Sequence, residues 1–164
     1  MTKGDIIKSL GLKPHPIEGG YFRRTYESDL SIERGDSSRK ILTSIYYMLT
    51  HNSPHGCLHR NKSDIIHFFH LGSPIKYLII SSDGRLKEQT LGPNILAGES
   101  LQFVVNAGDW KVSQLCSGEY GLLSEAVTPG FEYQDNEIAT SDMVRRLFPS
   151  LLPRLDKYIK QEGA

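Results

Sequence analysis

Residues 54–70 read PHGCLHRNKSDIIHFFH and hold four of the six histidines of the chain: His55, His59, His67 and His70. Such density suggests a metal site, and the spacing tests it. His55 and His59 are four apart, which would suit one ion on a helix, but Pro54 and Gly56 argue against a helix there. The second half, DIIHFFH, has the β-branched and aromatic content of a strand. Alternate strand residues share a face, so Ile65, His67 and Phe69 point one way and Ile66, Phe68 and His70 the other. His67 and His70 therefore cannot meet on one ion. The pattern predicts a strand whose His67 lies in a partly apolar interior, held by a hydrogen bond.

The period of two continues on both sides. YFRRTYES, RKILTSIYYMLT, IKYLIISS, RLKEQTL, LQFVVN, WKVSQL and YGLLSEAVT read as further strands. The turn signals HNSPHG, LGSP, SDG, GPNILAGE, NAGD, CSGE and TPG separate them. This punctuation predicts an all-β barrel or sandwich of about eight to ten strands. ERGDSSR reads as a polar, mobile loop between two early strands. TKGDIIKSLGL reads as a short helix, capped by Thr2, with Asp5 near its positive end and Gly11 as its stop. Pro14 and Pro16 flank His15 and force an extended path. Beyond residue 139 the spacing turns helical. Thr140 or Ser141 serves as a cap, and Pro149 and Pro153 break or restart the helix.

With 164 residues, 38% hydrophobic and 23% charged, the chain has the composition of one soluble domain. Lys+Arg and Asp+Glu balance at 19 each, so no general basic field exists to hold nucleic acid or an anionic membrane. Cys57 and Cys116 form no CxxC pair and read as free thiols of a reducing compartment. The first residues lack the apolar core of a signal peptide, and no apolar run reaches the length of a bilayer span. The expectation is a cytoplasmic protein of one domain, residues 1–164, with a barrel over roughly 18–139 and a helical segment over roughly 140–161.

The chain carries no GxSxG, Walker loop, HExxH, or GxGxxG that follows a strand. The Gly pair of PIEGGYF precedes a strand rather than a helix, so no phosphate-cradling helix N-terminus is expected. In NAGDW, Gly108 suits a positive φ and Trp110 suits packing. Arg23 and Arg24 adjoin on a strand, so one faces inward, where an arginine needs an anion or carboxylate. Arg23 shares a face with Tyr21 and Thr25 and is our inward choice; the alternative is an arginine paired with Glu18 or Glu132.

LGLKPHPIEGGYFRRTYES, TSIYYML, HRNKSD with HFF, LGPNILAGESLQFVVNAGDW and VTPGFEYQDNEIA together resemble the fifth cupin-domain family, from Leu10 to Ala139. The resemblance implies all-β architecture with short flanking helices: the double-stranded β-helix, or jelly roll, of a cupin, usually as a homodimer. It also implies kinship in fold with dTDP-sugar epimerases. Matched to the metal-binding cupin motifs, the first histidine falls on His59 and the second on Asn61. The glutamate falls on Ile65 and the last histidine on Lys111. Ile65 offers no ligand, and Lys111 puts an ammonium where a cation would sit. No metal and no cofactor are therefore expected. In the epimerase comparison, His59 of GCLHR matches the base histidine. Asp64 is the nearest carboxylate in sequence to orient it, and Tyr46, Tyr47 and Tyr133 are candidate acids.

The reading that follows is a metal-independent cupin that binds a small anionic ligand, a nucleotide or nucleotide-sugar, in its barrel. Expected contacts are Lys111, His59 and Arg23, with Tyr21, Tyr46, Trp110 and Phe131 as aromatic walls. Ser44, Ser63, His67 and Gln102 complete the ligand-binding candidates. The alternatives are a nucleotide-sugar epimerase or isomerase with His59 as base, and a dimeric scaffold with a vestigial pocket.

Overall fold

The structure is a computed structural model that describes residues 2–160. The last position of the predicted terminal segment, Gln161, lies outside the described residues. Helix α1, Lys3–Leu10, begins at Thr2, whose hydroxyl accepts from the Asp5 amide while the Asp5 carboxylate accepts from the Thr2 amide. This reciprocal cap contributes about 1 kcal/mol. Gly11 ends the helix with φ of 60°, as its sequence position predicted.

Thirteen strands follow among the described residues. They are β1 (Lys13–Pro14), β2 (Tyr21–Glu27), β3 (Ser31–Arg34), β4 (Ser37–Lys40), β5 (Thr43–Thr50), β6 (His59–Asn61) and β7 (Asp64–Gly72). Then come β8 (Ile75–Ile80), β9 (Leu86–Leu91), β10 (Gln102–Val105), β11 (Trp110–Leu115), β12 (Tyr120–Thr128) and β13 (Asn136–Ile138). Six form a sheet in the order β1-β2-β5-β12-β7-β10, and five form a second in the order β13-β6-β11-β8-β9. From β5 to β7, and again from β9 to β13, the chain crosses between the sheets at each step. That crossing pattern gives the jelly roll its two facing layers.

Alternation decides what each layer buries. Tyr47, Leu49, Leu123 and Val105 from the larger sheet meet Tyr77, Ile79, Leu91 and Leu115 from the smaller one. The outer face of the larger sheet packs Met48 and Leu122 against Ile6 of α1. The outer face of the smaller sheet is covered by the C-terminal elements α2 (Ser141–Leu147) and α3 (Leu152–Leu155). Val144, Leu155 and Tyr158 pack there on Leu78, Ile80, Trp110 and Val112. Thr140 caps α2, and Pro149 opens a new turn after it.

The stretch ERGDSSR is not a mobile loop. It forms the hairpin β3–β4, and Arg39 anchors that hairpin. The Arg39 guanidinium donates from Nε to Asp135 Oδ2 at 2.6 Å and from Nη2 to Oδ1 at 3.1 Å, and both side chains are buried. The fork geometry holds the hairpin to the segment that precedes β13. These hydrogen bonds from Arg39 lower the Asp135 pKa, more than burial raises it. No helix among the described residues is long and apolar enough to cross a membrane.

Candidate functional site

The site is built from the loop 15–20, the inward faces of β2, β5, β6, β7 and β12, and the segment 131–136. The loop is fixed by close backbone approach. Gly19 and Gly20 have φ of 87° and 71°. A Cβ at Gly19 would lie 2.6 Å from the His55 carbonyl oxygen, and one at Gly20 would lie 2.7 Å from that of Met48. Cys57 N donates to the Glu18 carbonyl at 2.8 Å, and the Tyr47 hydroxyl donates to that of Gly19 at 3.0 Å. Gly19→Ala is therefore expected to cost about 1–2 kcal/mol from the left-handed backbone alone, with the contact adding to it. Urea unfolding checks this, and an unchanged midpoint would show that the loop gives way freely.

The pinned loop delivers His15 and Glu18 to His59. His59 Nε2 is 3.7 Å from Glu18 Oε2, and His15 Nε2 is 4.0 Å from the same oxygen. The other Glu18 oxygen accepts from Asn136 Nδ2 at 2.9 Å. His59 Nδ1 donates to the Cys57 carbonyl at 2.8 Å, which leaves the Nε2 lone pair of the neutral ring facing the cleft. His15 is the opposite tautomer. Its Nδ1 accepts from the amides of Ile17 at 3.2 Å and Glu18 at 2.9 Å, so its proton is on Nε2. Burial lowers the His15 pKa, against a smaller raising effect of Glu18, and favours the neutral ring.

Below this trio lies a buried ionic cluster. Lys111 Nζ donates to Glu125 Oε1 at 3.0 Å and to His67 Nε2 at 2.8 Å. His67 is completely buried, stacked on Phe103 with ring centroids 5.0 Å apart. Burial, reinforced by the Lys111 charge, lowers the His67 pKa to about 4. Burial would raise the Glu125 carboxyl, but the charges of Lys111 and His67 outweigh it and hold its pKa well below the usual glutamate range. Burial pushes the Cys57 thiol up to about 12, so this free cysteine is no nucleophile.

The cleft above the cluster is narrow. Its enclosed part holds about 50 Å³ and is lined by His15, Glu18, His59 and Glu125 among apolar Phe22, Ile45, Ile65 and Val127. Arg24, Phe131 and Tyr133 also line it. The donor set does not suit a metal ion. His15 spends its Nδ1 lone pair on backbone amides and presents a proton, and Glu125 is tied to the Lys111 ammonium, so of the ionisable cleft side chains Glu18 and His59 are left as two donors where a site needs three or four. Among the described residues no group of three His, Cys, Asp or Glu side chains is arranged to hold an ion.

The structure brings together some of the sequence candidates and separates others. His59 and Phe131 line the cleft, and His67 and Lys111 face the interior beneath it. The Lys111 charge is already met by Glu125, which corrects its reading as the cation for a ligand. The inward arginine is Arg24, not Arg23. Both are exposed, but Arg24 shares the cleft face with Phe22, whereas Arg23 lies on the opposite face with its guanidinium 5.9 Å from the Tyr46 ring centroid. Tyr21 and Tyr46 pack on the outer, α1 side of the larger sheet, and Ser44 shares that outward face. Gln102 is exposed opposite Phe68. Trp110 is buried under the C-terminal helices, with Arg60 over its ring at 4.8 Å. Ser63 accepts from Arg34 at 2.9 Å. Asp64 does not orient His59, because its carboxylate accepts from the Ala107 amide at 2.7 Å; the carboxylate near His59 is Glu18. Sequence reasoning missed His15, Glu18, Arg24 and Glu125 as cleft residues. The legible signal was HPIEGG, where prolines and paired glycines fix a loop that carries a histidine and a glutamate.

Comparison with known proteins agrees with this architecture. The "Uncharacterized protein YML079W" of Saccharomyces cerevisiae is 37% identical over 134 residues, which are 73% of this chain. The chain spans 66% of that yeast protein's length. The solved structure of a hypothetical protein from Leishmania major superposes with a TM-score of 0.91 at 29% identity, over 98% of this chain and 100% of that one. A cupin 2 conserved barrel domain protein from Rhodopseudomonas palustris shares the fold alone, with a TM-score of 0.58 at 10% identity, over 90% of this chain and 83% of that one. The sequence pattern described as cupin superfamily (DUF985) matches residues 4–139, most of the chain, and the chain belongs to that family.

Proposed function

We propose that this cupin binds a small anionic ligand at the mouth of its barrel, of the nucleotide or nucleotide-sugar class, without a metal. The observation that carries the reading is Arg24, which lines the cleft beside Phe22, Phe131 and Tyr133 and above the His15–Glu18–His59 trio. Two paired cations compete for the role, and burial decides between them. Lys111 is 3% exposed, so a ligand would have to break a desolvated ion pair to use it. Arg24 pairs with Glu27 at 2.6 Å with both side chains about two-fifths exposed. Such a pair is worth little, and the 3.2 Å bond that Arg24 Nη2 donates to the Phe131 carbonyl is also exposed, so the guanidinium can turn to a phosphate. Phe131 and Tyr133, in edge contact with centroids 5.2 Å apart, suit a base or sugar ring at the rim. The polar trio suits sugar hydroxyls.

Calorimetry against a panel of nucleotides and nucleotide sugars tests the reading. Arg24→Ala is expected to weaken binding about tenfold to a hundredfold. Folded protein that gives no heat with any of them would sink the proposal.

A second reading is favoured by the tautomer of His59. With Nδ1 committed to a carbonyl and Glu18 beside Nε2, the ring is set as a general base whose charged form a carboxylate steadies. The chain would then be an epimerase or isomerase of a nucleotide-linked sugar. Solvent deuterium entering the sugar, and its loss in His59→Ala, checks this.

A further inference from the structure

His15 has no part in the proton-transfer reading so far, yet its hydrogen bonds place its proton on Nε2. Two backbone amides occupy Nδ1, so the ring presents Nε2–H and nothing else to the cleft. That N–H lies 4.0 Å from Glu18 Oε2, beyond hydrogen-bonding distance, so the donor is free for a ligand. His59 offers a lone pair to the same space. The wall thus sets a neutral donor beside a base, with one carboxylate oxygen within 4.0 Å of both.

We propose that His15 is the electrophile of the proton-transfer reading, and that the ligand presents an α-hydroxy carbonyl, the ketone form of a nucleotide-linked sugar, with His15 Nε2–H on the carbonyl oxygen and His59 Nε2 on the adjacent C–H. The inference rests on that second reading and narrows it. His59 takes the carbon-bound proton; the C–H electron pair forms the new C=C bond, and the carbonyl π pair moves to oxygen. The resulting enediolate oxygen is held by His15, and the imidazolium of His59 faces Glu18. Proton return to the former carbonyl carbon, with the hydroxyl proton passed from one oxygen to the other through Glu18, gives the isomeric carbonyl. Nothing is oxidised overall and no co-reactant is consumed.

The two walls also fix the outcome. His15 and His59 approach from one side. The facing sheet offers Phe22, Ile45, Ile65 and Val127, which carry no proton to give, and Thr43 and Arg24, whose hydroxyl and guanidinium are weak acids, while Tyr133 stands at the exposed rim. Its carboxylate, Glu125, is tied to Lys111. A proton removed by His59 is therefore returned on the same face, which is a shift of the carbonyl along the chain and not inversion of a centre. Neutral imidazole is the useful form for this role, and burial favours it in His15.

The test uses the intact protein and those nucleotide-linked ketosugars that give heat in calorimetry. Proton NMR in deuterium oxide should show label at the carbon next to the carbonyl, with the shifted carbonyl isomer as product. His15→Phe should slow exchange by about a hundredfold with affinity held within about threefold, and His15→Gln, which keeps an N–H donor, should recover part of the rate. Nitrogen-15 NMR of the ligand-free wild type should show the Nε2–H tautomer of His15, a measurement that needs no variant to fold. An Nδ1–H tautomer, unchanged exchange in His15→Phe, or an inverted product that Tyr133→Phe abolishes would overturn the proposal. Heat without exchange would overturn it and leave the binding reading standing. No heat from any ligand would remove the binding reading itself.

Discussion

Lys111→Met is expected to cost about 3–5 kcal/mol, the range for removing one member of a buried ion pair. The substitution keeps an unbranched chain of similar length and deletes the charge. What it leaves behind is the damage: Glu125, 13% exposed at its side chain, loses the ammonium 3.0 Å away that offsets its desolvation. His67 Nε2 loses its 2.8 Å donor as well. The double variant Lys111→Met with Glu125→Gln should recover a large part of the loss, because no unpaired charge remains. Urea unfolding of the two single variants and the double variant measures the coupling. Simple additivity would show that the pair contributes nothing to the fold.

Mild acid should destabilise the protein before its carboxylates titrate. His67 has a folded pKa of about 4 against an ordinary value of 6.5. The unfolded chain therefore binds that proton first as the pH falls, and stability declines between about 6.5 and 4. The loss from this one group amounts to about 3 kcal/mol across the window. His15, lowered in the same direction, adds to it. Glu125 acts lower. Its folded pKa lies below the ordinary 4.5, so its contribution is complete above that value and disappears as the pH falls beneath it. Thermal midpoints measured from pH 7 to 4 should slope downward, and His67→Gln should flatten the slope. A flat wild-type profile would contradict a neutral, desolvated His67.

The parts of the fold legible in the sequence are those whose causes are local. Thr2, Asp5 and Gly11 announce α1 because capping involves only near neighbours. The longer strands show because alternation over six or more residues has a clear period. β6 and β13, three residues each, are too short to show one. The hairpin β3–β4 is polar but for the exposed Ile32 and is held from outside by Asp135, so no periodicity marks it. The arginine pair shows a different limit. Alternation gives the phase of a strand but not which phase faces in, and the α1 packing of Tyr21 put Arg23 outside. The inward Lys111 was legible from its motif position; its neutralising partner was not, because Glu125 reaches it from the opposite sheet. Glu18 was weighed as the partner of an arginine rather than of His59, since loop and strand meet only in three dimensions.

The ammonium at the centre of the jelly roll has a further consequence for how the molecule is assembled. A central charge carried by a side chain arrives with translation, in fixed stoichiometry, and settles as β11 pairs with β8 and meets β12. Maturation then needs no loading step and no delivery partner for that charge. The ion pair of Lys111 with Glu125 is completed when the chain folds.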